Sequence, residues 1–274
     1  MSSFDFIIDN IRFSYSSLTT YETCPYSFKL TYIDKLPRED NFYGQYGTLI
    51  HNAMYEYFAG NLETYELSGY FVDNYDSVIL ALPPSYPAGM EERYKEAGLV
   101  FFDNFEFNKD NYDIILNEEK LEFDFEEGVG FVAKPDLVLM DKLTGKFTLV
   151  DYKTSAPFRT DKRNGNETID KKKMEGYYKQ MYIYTYALRN YKFTPIDEIT
   201  LWFTRPDRKE TILWNEEDED NAIKWLHKTI DKIRKDDKFK YNNENTYFCN
   251  NLCSVRIYCE YCIGCTGNKD DDIG

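Results

Sequence analysis

The 274-residue sequence has no apolar run near the ~20 residues a membrane-spanning helix needs, and its first stretch, MSSFDFIIDN, lacks a signal-peptide layout. These absences exclude a protein built on spanning helices, and a soluble, cytoplasmic chain is expected. Excess positive charge is also missing: 33 Lys and Arg face 48 Asp and Glu, for a net −15. A protein that coats nucleic acid through broad positive charge is thereby excluded. Any contact with a polyanion must rest on local basic patches and bound metal ions, and should weaken with salt. No internal repeat or long linker interrupts the chain, which is long enough to bury a real core, so a single domain over 1–274 is expected. Histidine is scarce, at two residues, whereas 25 Tyr and 20 Phe make the chain aromatic-rich and rule out disorder.

Six cysteines in a chain expected in the cytosol point to a metal or cluster rather than to disulfides. Their placement is lopsided. Cys24 stands alone near one end, and Cys249, Cys253, Cys259, Cys262 and Cys265 crowd the other. Cys24 by itself would read as a small buried hydrophobe.

The stretch Phe131–Ser155 (FVAKPDLVLMDKLTGKFTLVDYKTS) organises the rest. It predicts one strand over Phe131–Met140, a polar turn over Asp141–Lys146 and a second strand over Phe147–Tyr152. Asp151 and Lys153, two apart, then project from one face, and hairpin pairing can bring Asp136 beside them. Two carboxylates and an ammonium at the end of buried strands suit a hard divalent cation, with the lysine near a phosphate or an attacking water.

Along the remaining chain, Ser16–Glu22 predicts a short helix ended by Cys24-Pro25. Residues 44–58 predict a helix with Ile50, Ala53, Met54, Tyr57 and Phe58 on its apolar stripe and His51 at the stripe's edge. An irregular helical insertion is expected over 60–90, then a helix over Glu91–Phe107 with Tyr94, Ala97, Leu99, Val100 and Phe101 inward. Asp113–Phe125 reads as a strand whose Glu118 and Glu119 could add a carboxylate to the site, although an exposed strand end is the plainer reading. Pro157–Lys173 is expected to be a mobile basic loop placed for phosphate contact. Lys172–Asn190 predicts a helix carrying Gln180 and Tyr184 four apart. A strand over Ile199–Thr204 and an amphipathic helix over Asn221–Lys235 follow.

Several signals fall in one order: Ser-Ser-Leu-x-x-Tyr-x-x-Cys-Pro-x-x-Phe (Ser16–Phe28), Gly-Thr-x-x-His (Gly47–His51), Ala-x-x-Asp (Ala133–Asp136), Asp-x-Lys (Asp151–Lys153), Gln-x-x-x-Tyr (Gln180–Tyr184) and Cys-x3-Cys-x5-Cys (Cys249, Cys253, Cys259). This order resembles the RecB-type branch of the PD-(D/E)XK nucleases, in particular the iron–sulfur exonucleases. That group includes CRISPR adaptation nucleases, the AddB nuclease domain and phage or mobile-element exonucleases. The resemblance implies an α/β (α+β) fold with a restriction-endonuclease-like core, in which helices flank a central mixed β-sheet. A helical, cysteine-bearing appendage would form from the two ends, residues 12–35 and 240–266.

It further implies a Mg²⁺- or Mn²⁺-dependent deoxyribonuclease acting on DNA, at single-stranded ends, in recombination, repair or mobile-element processing. His51, Asp136, Asp151 and the Tyr152 carbonyl would bind one or two ions. Lys153 would orient or deprotonate the attacking water and stabilise charge at the scissile phosphate, while Gln180 and Tyr184 would contact DNA. Cys24, Cys249, Cys253 and Cys259 would hold a [4Fe–4S] cluster. The usual cysteine spacing of the family is x2 then x5, against x3 then x5 here. A competing set of Cys259, Cys262 and Cys265, or zinc in place of iron–sulfur, therefore stays open. Two other readings are a module that grips DNA ends without cutting, and a nuclease that trims DNA before CRISPR integration.

Overall fold

The structure, a computed structural model, describes residues 4–84, 88–125, 129–161, 163, 165–242 and 244–262. Helix α1 (Asp5–Asp9) precedes α2 (Tyr15–Thr23). A reciprocal cap starts α2: the Ser14 hydroxyl accepts from the Ser17 N–H at 3.1 Å, and the Ser17 hydroxyl accepts from the Ser14 N–H at 2.8 Å. Cys24 is extended, and Pro25 opens α3 (Pro25–Phe28) at the position where a missing N–H leaves no bond unmade. A single π-helical turn, Lys29–Ile33, continues it. Helix α4 (Phe42–Phe58) buries Tyr46, Leu49, Ile50, Ala53, Met54, Tyr57 and Phe58, the stripe that the spacing predicts and a little more. Helices α5 (Leu67–Val78) and α6 (Met90–Asp103) follow. On α6 the inward face is Gly98, Phe101 and Phe102, and Val100 stays 54% exposed. Val100 was expected inside; two adjacent phenylalanines carry more apolar area and set the helix's rotation.

The strands are β1 (Tyr112–Asn117), β2 (Leu121–Asp124), β3 (Gly130–Ala133), β4 (Leu137–Asp141), β5 (Phe147–Lys153), β6 (Phe158–Thr160) and β7 (Glu167–Ile169). After α7 (Lys171–Tyr191) come β8 (Glu198–Phe203), β9 (Arg208–Leu213), α8 (Glu216–Lys235) and α9 (Thr246–Asn251). Three expectations are corrected. The strand read over Asp113–Phe125 breaks at Glu118, whose φ is 55°. The strand read over Phe131–Met140 breaks at Lys134-Pro135-Asp136, where proline has no N–H for a ladder. The basic stretch read as a loop folds partly into an antiparallel ribbon, with Phe158 opposite Ile169 and Thr160 opposite Glu167; Lys162 and Asn164 within it lie outside the described residues.

The chain divides into two compact units. One, Phe42–Leu121 with Ala133–Ile223, holds a five-stranded sheet in the order β1-β4-β5-β8-β9. Only β5 and β8 run parallel; the other pairs are antiparallel. Leu149, Val150, Asp151 and Tyr152 of the central strand are all buried, which is why that strand reads as a continuous run rather than an alternating one. At the β4–β5 turn, Asp141 Oδ1 accepts from the N–H groups of Leu143 and Thr144 at 2.9 and 2.7 Å, and Gly145 supplies the left-handed φ of 72°. Helices α4, α5 and α6 join Leu137, Leu139, Val150, Tyr152 and Trp202 of the sheet in one aromatic-rich core. This is the mixed α/β arrangement, sheet flanked by helices, that the resemblance implies.

Within that core Gly98 lies against the Phe71 ring, whose Cε2 would be 2.8 Å from an added methyl. Gly98→Ala should therefore destabilise the protein by about 1–3 kcal/mol through overpacking. Gly69, on α5 with nothing within 4 Å, should instead gain about 0.5–1 kcal/mol on change to alanine. Urea unfolding of the two variants measures both signs.

The other unit comprises Met1–Asn41, Glu122–Val132 and Lys224–Gly274. Phe28 and Phe239 stack at 6.2 Å between ring centres, and Tyr21 meets Phe28 edge-on at 5.7 Å while its hydroxyl donates to Asp236 at 2.9 Å. Segments 12–35 and 240–262 both belong to this unit. Among the described residues no helix is long and apolar enough to cross a membrane.

Candidate metal centre

The β4–β5 register pairs Leu137 with Val150, so Asp136, one step before Leu137, comes across from Asp151. Asp136 Oδ2 accepts from the Tyr152 N–H at 2.8 Å, which fixes the carboxylate at the strand end. Helix α4 brings His51 to the same point. Its Nδ1 lies 3.0 Å from Glu118 Oε1 and 3.5 Å from Asp136 Oδ1, and its Nε2 lies 3.2 Å from the Tyr152 carbonyl oxygen. Both ring nitrogens thus face oxygen acceptors, the pattern of an imidazolium donating twice. Burial works against that charge, but Asp136, Glu118 and Asp151 outweigh it and push the His51 pKa up to about 9.

Among the described residues, the three-ligand group whose donor atoms all fall within 4.8 Å of one another is His51, Glu118 and Asp136. Glu118 is therefore at the centre rather than on an exposed strand end. Its N–H donates to the Asp136 carbonyl at 2.7 Å, and its left-handed backbone ends β1 there. A non-glycine residue in that conformation costs about 1–2 kcal/mol, and such strain gathers at functional sites. Burial would raise the Glu118 pKa, but hydrogen bonds from His51 and Lys134 hold it below the usual carboxylate range. Its neighbour Glu119 pairs with Lys192 instead. The sequence carries a signal for Glu118 only as an acidic pair at a strand end.

Asp136 and Asp151 are both buried. Burial drives the Asp136 pKa upward; His51 and Lys153 pull it back, while Asp151 and Glu118 add to the rise. Crowded, buried carboxylates beside one imidazole are a donor set suited to Mg²⁺ or Mn²⁺, because a divalent cation relieves the repulsion that otherwise favours protonation. A proton on His51 and a divalent cation at this centre would compete for the same carboxylates. Ligation requires His51 and Asp136, whose pKa values are pushed up to about 9 and about 7, to lose protons, so metal affinity should rise with pH up to about 9 and binding should release protons. Titration calorimetry in buffers of different ionisation enthalpy reads that release. Glu118→Gln should weaken Mn²⁺ binding about tenfold or more if Glu118 ligates or directly supports a ligand.

Asp151 stands just outside the three-ligand group, and Lys153 on the same strand face turns toward it. Lys153 Nζ is 2.6 Å from Asp151 Oδ2 and donates to Gln180 Oε1 at 2.8 Å. Gln180 Nε2 in turn donates to the Tyr184 hydroxyl at 3.0 Å. Helix α7 therefore contributes Gln180 as a direct holder of the lysine, and the buried Tyr184 as the group that orients Gln180. The Lys153 ammonium also lies 4.8 Å from the Tyr177 ring centre. Tyr177 donates to the Ser155 carbonyl at 2.6 Å, and Lys173 donates to the Ser155 hydroxyl at 2.6 Å, so the start of α7 pins the segment that follows β5. Sequence reasoning missed Tyr177 and Lys173 in this role, since one is an aromatic residue inside a predicted helix and the other the last residue of the basic stretch.

The profile of the PD-(D/E)XK nuclease superfamily matches residues 12–260. The chain belongs to the PD-(D/E)XK nuclease superfamily. Comparison with curated proteins finds no match. Pro135-Asp136 and Asp151-Tyr152-Lys153 spell the superfamily's motif, with Asp at its D/E position. Metal-dependent cleavage of nucleic acid is the chemistry of PD-(D/E)XK nucleases, and the His51–Glu118–Asp136 group offers the ligands for it.

Four cysteines outside this centre are free thiols: Cys24, Cys249, Cys253 and Cys259. All four line one small cavity together with Cys262 and Phe248. The Asn242 N–H points at Cys24 Sγ from 3.4 Å, and the Ser27 hydroxyl lies 3.5 Å from Cys253 Sγ. Burial raises the Cys249 and Cys259 pKa values, and neighbouring thiols of the group add to both. Cys265 lies outside the described residues.

Proposed function

We propose that the protein is a Mg²⁺- or Mn²⁺-dependent DNA exonuclease of the RecB-type branch, acting at single-stranded ends and carrying a structural [4Fe–4S] cluster. The observation that carries the nuclease reading is the convergence of His51, Glu118, Asp136 and the Asp151–Lys153 pair at one strand end. In this reading His51, Asp136, Asp151, Glu118 and the Tyr152 carbonyl hold the cation. A divalent ion there supplies Lewis-acid polarisation of the phosphate and lowers the pKa of the attacking water. Lys153, held by Asp151 and Gln180, presents its ammonium to the scissile phosphate and the incoming water. The water oxygen bonds to phosphorus, the bond from phosphorus to the leaving ester oxygen breaks, and a proton ends on that oxygen. Gln180 and Tyr184 keep Lys153 in place and border the path of the strand.

The exonuclease and single-strand assignments rest on the ordered resemblance from Ser16 to Cys259. For the cluster, the support is chemical. The four free thiols Cys24, Cys249, Cys253 and Cys259 line one small cavity, and four thiolates suit a soft iron–sulfur cluster better than a hard cation.

End-labelled linear single-stranded DNA and a covalently closed circle of the same sequence, incubated anaerobically with Mn²⁺, test the activity. Linear strands should shorten progressively while circles persist. Equal loss of circles would make the protein an endonuclease, and loss of neither would leave a DNA-end-binding module.

A further inference from the structure

In the unit that contains the thiols, a second surface has the chemistry of a strand-binding groove. A cavity of about 720 Å³ is lined by Arg12, Lys35 and Arg38, by the aromatic rings of Phe6 and Tyr32 and, among the described residues, by no carboxylate. That lining is unexpected in a chain of net charge −15. Arg12 is steadied by Glu122 and Asp124 at 3.6 and 3.7 Å, whereas among the described residues Lys35 and Arg38 have no carboxylate partner. The Arg38 guanidinium lies 4.8 Å from the Tyr32 ring centre, so its plane is held at the groove before anything binds. Phe6 is 84% exposed at the same groove.

The backbone here is also unusual. Tyr32 sits in the π-helical turn Lys29–Ile33, and Lys35 has a left-handed φ of 53°. π turns and left-handed non-glycine residues are uncommon, each is less favourable than ordinary helix, and both are concentrated at functional positions. Together they deliver Tyr32 and Lys35 to one wall.

We infer that this groove binds the phosphate backbone of a single DNA strand, with Lys35 and Arg38 on phosphates and Phe6 as a stacking surface for an unpaired base. Exposed aromatic surface beside spaced cations suits a single strand, whose bases are free to stack, better than a duplex, whose bases are not. An anionic lipid surface would use the cations but would leave the Arg38–Tyr32 stack without purpose. The inference deepens the proposed activity and rests on it for the identity of the strand: the groove would grip substrate outside the metal centre.

The test is fluorescence anisotropy of a labelled oligothymidine with the full-length protein in chelator, so that nothing is cut. The double variant Lys35→Ala/Arg38→Ala should bind about tenfold or more weakly at physiological salt. The slope of log affinity against log salt should become shallower by about 1.4, roughly 0.7 per lost phosphate contact. Phe6→Ala, which removes an exposed ring, should weaken binding about fivefold or more with the slope unchanged. Arg38→Lys should keep the slope and lose part of the affinity. Unchanged affinity and slope in variants with unchanged melting temperature would overturn the inference. So would binding to phosphatidylserine vesicles that depends on Lys35 and Arg38 while oligothymidine binding does not. Failure of the nuclease reading would look different: no metal-dependent cleavage at any salt, whatever the anisotropy shows.

Discussion

Replacing Lys153 with alanine should lower Mn²⁺-dependent cleavage by roughly 10²–10⁴-fold, the range for loss of a positioned proton-handling or charge-stabilising group. The size of the effect follows from placement. Its ammonium sits between Asp151 at 2.6 Å and Gln180 at 2.8 Å, on a strand whose neighbouring residues are buried. A water molecule that took its place would bring no fixed positive charge to the phosphate. Gln180→Ala leaves the ammonium present and paired with Asp151 but without its second anchor, so the loss should be intermediate. In metal-free protein, Lys153→Ala also strips Asp151 of its cation, so added Mg²⁺ should raise the melting temperature of this variant more than that of the parent. Single-turnover kinetics beside circular dichroism separates chemistry from folding. Digestion by Lys153→Ala at the parental rate would remove Lys153 from the reaction.

Anaerobic purification should give a brown protein with about four irons per chain, as a Cys₄-held [4Fe–4S] cluster requires. Cys24→Ser should then lose most of the iron and a large part of the stability. Cys24 and Cys249 are about 225 residues apart along the chain, and a cross-link closing so long a loop restricts the unfolded state by about 5 kcal/mol in the chain-entropy model. The same substitution should leave the metal-centre residues intact, so residual folded protein should still bind Mn²⁺. One zinc per chain would discard the cluster and keep the nuclease. Thiols that titrate fully, with neither metal present, would discard any metal at Cys24, Cys249, Cys253 and Cys259.

The two assignments draw on different kinds of information. Asp151 and Lys153 could be read from local order alone, because strand alternation puts residues two apart on one face whatever the rest of the chain does. His51 could be placed at the edge of an apolar stripe because the helical period is equally local. Neither period says which helix meets which strand. The partnership of His51 with Glu118, Asp136 and the Tyr152 carbonyl is a product of sheet register and of α4 packing on it.

Glu118 shows the limit most clearly. Its neighbour Glu119 has the same charge and an adjacent position, yet one joins the candidate metal centre and the other a surface ion pair. The difference comes from a left-handed backbone at Glu118 and from its hydrogen bond to the Asp136 carbonyl, neither of which leaves a mark in composition or period. The split of the central apolar run at Pro135 was legible in principle, since proline cannot donate to a ladder. The rotation of α6 toward Phe101 and Phe102 was not, because it depends on what the opposing helices present.

By itself, then, the sequence determined the order of the motif residues, the helical stripe on α4, the polar turn at Asp141–Lys146 and the same-face placement of Asp151 and Lys153. The tertiary structure decided that Glu118 joins His51 and Asp136, that Gln180 and Tyr184 serve Lys153, and that the basic stretch after β5 pairs into a ribbon. The physical reason is range: strand and helix periods act between near neighbours, whereas a metal centre is made of donors whose separation is set by pairing and packing across the whole sheet.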